Sequence, residues 1–250
     1  MIKESTIAQQ LDHRTIRAFT KQPVAPEIIE QLVSVARHTA TSNFQQAFSV
    51  ISVTDQAKKQ QIAAISKQPY VAANGHLFIF VADQHRNQQI GAEMGKTENQ
   101  LGGADRFLQA WSDTTLAVQN TEVAAESLGL GTVILGSILN DAQKLIDLLQ
   151  LPQLTFPVLG LAIGWPDQAP QLKPRLPEKF VHLENSYQLP TPVEPQLTDY
   201  DAVVHQYYDL RDANRRVDTF TNQVQQRLAM VPEKRGELLA VLRWQGFLLE

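Results

Sequence analysis

Ala104–Leu128 is the longest helical pattern in the chain and the stretch that most narrows what the rest can fold into. At 1.5 Å per residue it spans roughly 35–40 Å, enough to cross an entire domain. Phe107, Leu108, Trp111, Leu116, Val118, Val123, Ala124 and Leu128 spread around much of its circumference. A helix like that is central rather than superficial. Gly129 gives it a left-handed stop. His76–Ala82 and Pro157–Gly164 are almost unbroken apolar runs, the pattern of strands covered on both faces. Phe48–Thr54 alternates as a third strand. Helical spacing recurs over Glu27–His38, where Pro26 suits the first position, and over Gln56–Ser66 and Asp141–Leu149. It returns over Asp199–Leu210, Thr219–Met230 and Glu233–Leu249. The stretch Pro177–Pro195 is proline-rich and aperiodic, an ordered arm rather than a linker, and no internal repeat interrupts the series. Length alone leaves one large domain or two small ones open.

What such a chain can do is bounded next. Net charge is −4 and the balance of apolar (43%) and charged (19%) residues is that of ordinary globular proteins. An acidic chain of this kind argues against a nucleic-acid partner. With no cysteine there is no thiolate nucleophile or Cys-ligated metal, so any redox chemistry would need a bound cofactor to carry the electrons. Neither a signal-peptide pattern nor a run of membrane-spanning length is visible, so a soluble cytoplasmic protein is the expectation.

Two basic clusters stand out against that background. In Asp12-His13-Arg14-Thr15-Ile16-Arg17, Asp12 is placed to cap a short helix with His13 and Arg17 on one face and Arg14 beside them. Cations at a helix start are repelled by its partial positive charge. An anion, most naturally a phosphate, would resolve the conflict. The alternative is a solvated basic turn paired with Asp12 or Glu4. Lys173-Pro174-Arg175 is the second cluster. Proline keeps Lys173 extended, so residues two apart face one spot.

Other signals are weaker. Gly91-Ala92-Glu93-Met94-Gly95-Lys96-Thr97 ends like a phosphate-binding loop, but only three residues separate its glycines where the motif needs four. A mobile polar loop is the expectation. Gly131 and Gly136 are spaced wrongly for a dinucleotide fingerprint. They suit either close approach of backbone to a flat ligand or a strand flanked by turn glycines.

Together these stretches resemble the FMN-containing nitroreductase superfamily, in its branch of oxygen-insensitive NADPH nitroreductases and NADPH–flavin oxidoreductases. The marks are His13-Arg14-x-Ile16-Arg17 with Phe19-Thr20, Ala40-Thr41-Ser42-x-Phe44, Gln68-x-x-Val71 and Glu126-Ser127-Leu128-Gly129-Leu130-Gly131. They continue through Leu161-x-x-Gly164-Trp165-Pro166, Lys173-Pro174-Arg175-Leu176-Pro177, His182-x-Glu184-Asn185-Ser186-Tyr187 and Asn214-Arg215-Arg216. Each is weak alone; in order, across nearly the whole chain, the set is specific.

The resemblance implies an α+β, three-layer fold over residues 1–250 as a single FMN-binding domain. A central, mostly antiparallel sheet would be flanked by helices, with an extended C-terminal arm and a helical excursion. It also implies a homodimer with one FMN at each end of the interface. Carried over, His13, Arg14, Thr15 and Arg175 would hold the FMN phosphate, and Arg17 and Lys173 the ribityl chain and pyrimidine edge. Thr41, Ser42, Gln68 and Tyr70 would add contacts, and Ile134, Leu135 and Gly136 would lay backbone against the isoalloxazine. Arg211, Arg215 and Arg216 match the family's loop for the NADPH 2′-phosphate. No metal is implied. The chain departs from the family where Ile134-Leu135-Gly136-Ser137 stands for a frequent Tyr-Ile-Gly-Gly, and where Leu139 replaces a basic residue. Both bear on substrate range.

The implied activity is ping-pong: NADPH delivers hydride and leaves, then a nitroaromatic, quinone or free flavin takes the electrons. Lys173 and Arg17 would stabilise charge gained on reduction, because Coulomb energy grows as the effective dielectric falls. A dedicated flavin or quinone reductase on the same fold is one alternative. A non-enzymatic module that stores or senses FMN is another.

Overall fold

Four strands, β1 (Phe48–Val53), β2 (His76–Asp83), β3 (Gly131–Leu135) and β4 (Thr155–Gly164), form one antiparallel sheet in the order β1-β2-β4-β3. This computed structural model describes residues 6–96, 100–207, 218–230 and 232–248. Side chains alternate across the sheet as the period of two requires. Leu77, Ile79 and Val81 of β2, with Phe156 and Ala162 of β4, feed one core cluster; Phe78, Phe80, Leu161 and Ile163 feed another. All eight residues of β2 are buried, as expected of a strand covered on both sides.

The helices are α1 (Thr6–Leu11), α2 (Pro26–Arg37), α3 (Gln56–Ser66), α4 (His85–Glu93), α5 (Ala104–Ser127), α6 (Ala142–Leu149), α7 (Thr198–Gln206), α8 (Phe220–Leu228), α9 (Glu233–Gly236) and α10 (Leu238–Trp244). Leu32 and Ala36 of α2 and Ala117, Val118 and Ala125 of α5 cover one face of the sheet. Ile62 and Ile65 of α3, Leu145 and Ile146 of α6 and Val241 of α10 cover the other. The sheet is therefore the middle of three layers. Gly129, at φ +81°, turns the chain out of α5 and into β3, a conformation glycine adopts without strain.

Two compact units divide the chain. The first is Met1–Leu11, Thr15–Gln168 and Pro232–Glu250, and the second is Asp12–Arg14 with Ala169–Val231. In the first, the C-terminal segment folds back. Phe247 is fully buried, Leu248 N–H donates to Gly102 O (2.8 Å), and Leu154 N–H donates to Gln245 O (2.7 Å). The second is built on α7 and α8, where the Tyr200 and Phe220 rings meet edge-on at 5.4 Å and Asp201 accepts from Thr221 N–H (3.0 Å). The arm before them shows only short turns at Glu178–Phe180 and Glu194–Leu197.

Several expectations are corrected. No helix starts at Asp12. The helix is α1, which ends at Leu11, and Thr15 then forms a parallel bridge to Thr132 while Ile16 N–H donates to Thr132 O at 2.8 Å. Backbone groups that a helix would have satisfied internally are met by the edge of β3 instead, and the Asp12 carboxylate pairs with Arg14 rather than capping. Gly91–Glu93 closes α4 rather than forming a loop. The C-terminal helix is broken at Gly236–Glu237 into α9 and α10. Finally, α5 is not apolar all round. Leu108 and Leu116 are exposed, and its buried side includes Asp113, Thr114, Thr121 and Glu122.

Candidate functional site

The segment Thr15–Arg17 lies along β3, and its position is set by contact at Gly131. A Cβ there would come within 2.8 Å of three Ile16 side-chain carbons, so only glycine lets Ile16 bury against the strand. Thr15 and Arg17 are half-buried on either side of it. The Nε of Arg17 is buried with no hydrogen-bond partner among the described residues. Such an orphan is rare in a native fold and asks for an acceptor from outside the chain.

At the far end of β3, Ile134 and Leu135 lead into a 3-10 turn, Gly136–Asp141. Nothing lies within 4 Å of where a Gly136 Cβ would be, so the backbone is open there. Arg235 holds the turn by donating to Gly136 O (3.0 Å) and Asn140 Oδ1 (3.3 Å), and Asn140 Nδ2 donates to Ser66 O (3.3 Å) at the end of α3. Directly after α3 come Gln68 and Tyr70, on the turn Pro69–Ala72 and its N-cap, with Gln68 N–H bonded to Ala63 O at 3.0 Å. The two turns thus share α3 as their anchor. Leu139 is buried in the core cluster, which is why that position carries no charge.

Ser42, which follows Thr41, is anchored elsewhere, on α5. The Asp113 carboxylate, 1% exposed, accepts from Ser42 N–H at 2.7 Å and from Ala47 N–H at 3.1 Å. Between those amides Asn43, Phe44 and Gln46 all have φ near +50° to +58°. A non-glycine residue held there costs about 1–2 kcal/mol. Arg86 donates to Gln46 O and to Phe48 O (3.3 Å), and Asn87 Nδ2 to Gln45 O (3.2 Å). None of these bonds reaches Gln68, Tyr70 or the Gly136 turn.

The second unit contains Asp12–Arg14 and the segment that carries Lys173 and Arg175, whereas Thr15–Arg17 of the first basic cluster belong to the first unit. Arg14 donates to the Asp12 carboxylate and to Asp12 O (3.2 Å). Lys173 and Arg175 are exposed, and Arg175 Nη1 donates to Lys173 O at 2.6 Å. Tyr200 lies near them, its hydroxyl donating to Pro174 O at 3.5 Å. Burial pushes the Tyr200 pKa up, the Arg175 guanidinium pulls it back, and Asp201 raises it further. Arg211, Arg215 and Arg216 lie outside the described residues.

One polar group sits away from these residues. His76 is buried at the start of β2, its Nε2 3.1 Å from Ser52 Oγ. Burial, and secondly the nearby Lys59 ammonium, lower its pKa to about 4. Lys59 is also buried, donates to Asn74 Oδ1 at 3.1 Å, and has its pKa lowered by desolvation. Among the described residues no helix is long and apolar enough to cross a membrane.

Asp113 and Arg235 were not visible as site residues in the sequence. A lone aspartate inside a helical run reads as a solvated face, and Arg235 is 99 residues from the carbonyl it holds.

Comparison with known proteins matches residues 11–165 to the nitroreductase family and residues 173–250 to the C-terminal domain of that family. An "FMN reductase (NADPH)" of Bacillus subtilis is 39% identical over 88% of this chain and 90% of its own length. An "oxygen-insensitive NADPH nitroreductase" of Salmonella typhimurium is 38% identical over 97% of this chain and 98% of its own. Among solved structures, the NfrA1 nitroreductase of B. subtilis superposes with a TM-score of 0.90 at 36% identity, covering 97% of this chain and 99% of that one. The NADPH:FMN oxidoreductase of Vibrio harveyi gives 0.88 at 30% identity, covering 98% and 99%.

Proposed function

The chain belongs to the nitroreductase family, and on that premise we propose that it is an FMN-dependent NADPH oxidoreductase that reduces nitroaromatics, quinones or free flavins. The observation that carries this is the match, over nearly the whole chain, to relatives named for NADPH, FMN and nitro reduction. The residues present fit the cofactor. The buried Arg17 Nε lacks an acceptor among the described residues, and the backbone at Gly136 is open to a ligand's approach.

FMN, when bound, supplies the hydride acceptance and release that no side chain of this cysteine-free chain provides. The protein's part is binding, orientation and electrostatics. His13, Arg14, Thr15 and Arg175 hold the phosphate, the two arginines presenting forked donors to its oxygens. Arg17 and Lys173 place positive charge at the ribityl chain and pyrimidine edge. There it stabilises the negative charge that reduction adds, and more strongly as water is excluded. Thr41, Ser42, Gln68 and Tyr70 supply further polar contacts, and Ile134, Leu135 and Gly136 present backbone to the ring. Arg211, Arg215 and Arg216 bind the NADPH 2′-phosphate, whose charge arginine grips with paired bonds. Residues 1–250 work as one domain, in a cytoplasmic homodimer.

The test is anaerobic. Under argon, excess NADPH should bleach the flavin absorbance of the loaded protein, and a quinone or nitroaromatic should restore it. A loaded protein whose absorbance NADPH leaves unchanged is a storage or sensing module. Failure to take up added FMN overturns the reading altogether.

A further inference from the structure

The connection between α2 and β1 has no topological need for the shape it takes. It leaves a helix at Arg37 and enters a strand at Phe48, yet it passes through three left-handed non-glycine residues, Asn43, Phe44 and Gln46. Backbone of that kind persists only where its surroundings over-determine it. Here a principal determinant is one carboxylate. Asp113 reaches from the buried side of α5 and takes one amide with each oxygen, Ser42 N–H at 2.7 Å and Ala47 N–H at 3.1 Å. These amides bracket the strained residues, so the carboxylate closes the loop like a clasp. Among neutral or anionic side chains of this size, only an ionised carboxyl offers two acceptors and no donor. Burying it carries a desolvation penalty, and among the described residues both of its hydrogen bonds go to this loop.

We propose that Asp113 is a positioning residue of the flavin site: its carboxylate clamps the 42–47 loop and holds Thr41 and Ser42 in the conformation that meets FMN. This rests on the flavin contacts assigned to Thr41 and Ser42 above. Such a clamp implies a loop that is formed before the cofactor binds. Arg86 and Asn87 support it through the carbonyls of Gln46, Phe48 and Gln45, and Asp113 supplies the two amide acceptors that these donors cannot.

The experiment is FMN titration of the full-length protein, followed by flavin fluorescence quenching and visible circular dichroism. Asp113→Asn keeps the shape but turns an NH2 group towards one of the two amides. It should raise the FMN dissociation constant about tenfold and alter the flavin dichroic band. Adding Asn43→Gly and Gln46→Gly relaxes the left-handed positions. The glycine pair should return much of the lost affinity to Asp113→Asn, which a role in core packing alone would not allow. Hydrogen exchange gives an independent measurement on the unmutated protein. Ser42 and Ala47 amides should be protected before FMN is added as well as after. The inference is overturned if Asp113→Asn binds FMN with unchanged affinity, if the glycine pair restores nothing, or if those amides exchange freely without cofactor. Unmutated protein that takes up no FMN is a different outcome, since it removes the functional reading itself.

Discussion

Arg17 makes the most specific physical demand in the first unit, because its buried Nε–H meets no acceptor among the described residues. Lysine at that position keeps the charge but loses the guanidinium's fixed fork. Arg17→Lys should therefore weaken FMN binding about tenfold, the value of one charge-assisted hydrogen bond, without lowering the melting temperature of the FMN-free protein. Equal affinity in the two proteins would show that charge alone is read there. His76 makes a different demand. Its folded pKa of about 4 lies below the unfolded 6.5, with burial the main cause and Lys59 the second. The unfolded chain therefore binds the proton first. Stability from this group is intact above pH 6.5 and is lost as pH falls towards about 4, by at most about 1.4 kcal/mol per pH unit. In His76→Gln, which cannot titrate, denaturant midpoints measured from pH 7 to 4 should fall less steeply than in the parent. Parallel curves would show that other groups carry the acid loss. Neither property was legible in the residue string. A histidine opening an apolar run gives no sign of the lysine beside it, and an arginine in a basic turn gives no sign of which nitrogen is buried.

The strands and long helices were legible because their patterns are dictated by burial. The run His76–Ala82 sits in a strand covered on both faces, and Ala104–Ser127 with its stop at Gly129 is the helix that the spacing describes. The turn at Asp12 was not, and the reason is tertiary. Its local pattern favours a helix, but Ile16 N–H finds a carbonyl on β3, and that strand has glycine at 131 where Ile16 must press in. Cap chemistry is local; a strand edge many residues away is invisible to it. The pairing makes a prediction. In Gly131→Ala the new Cβ would meet Ile16 carbons at 2.8 Å, so either β3 or the Thr15–Arg17 segment must move. Overpacking of this kind costs about 1–3 kcal/mol, which lowers the melting temperature. Because Arg17 moves with the segment, FMN affinity should fall too. Ile16→Val in the same chain removes a methyl group and should restore part of both. A Gly131→Ala protein as stable as its parent would mean that the contact is relaxed without consequence.

Among the described residues, large apolar side chains stand exposed in both compact units. In the first unit Ile7 and Leu11 of α1 are more than two-thirds exposed, and Leu108 and Leu116 stand on the outer side of α5. The helix α1 packs along α5 and is tied to it by Gln9 Nε2 donating to Val123 O at 2.8 Å. Its own residues include none that are buried. In the second unit Val203, Leu228, Met230 and Tyr187 are likewise exposed. Scattered apolar side chains are ordinary on a surface, whereas a contiguous patch of them is the mark of an interface. In the proposed homodimer a second copy of the chain would cover them, and α5 would have company on the side its own sheet cannot reach. That would account for its spread of apolar positions around much of the circumference, which within the subunit are buried on one side only. Sedimentation at micromolar concentration should give twice the 28.0 kDa chain mass. Leu108→Glu with Leu116→Glu places charge on the outer side of α5 without touching its buried face. That variant should sediment as a monomer or weaken dimerisation by about tenfold or more, and it should lose FMN in step if the cofactor needs both copies. A dimer unchanged by the two charges would move the interface off α5, and a stable monomer that keeps its FMN would contradict the homodimer itself.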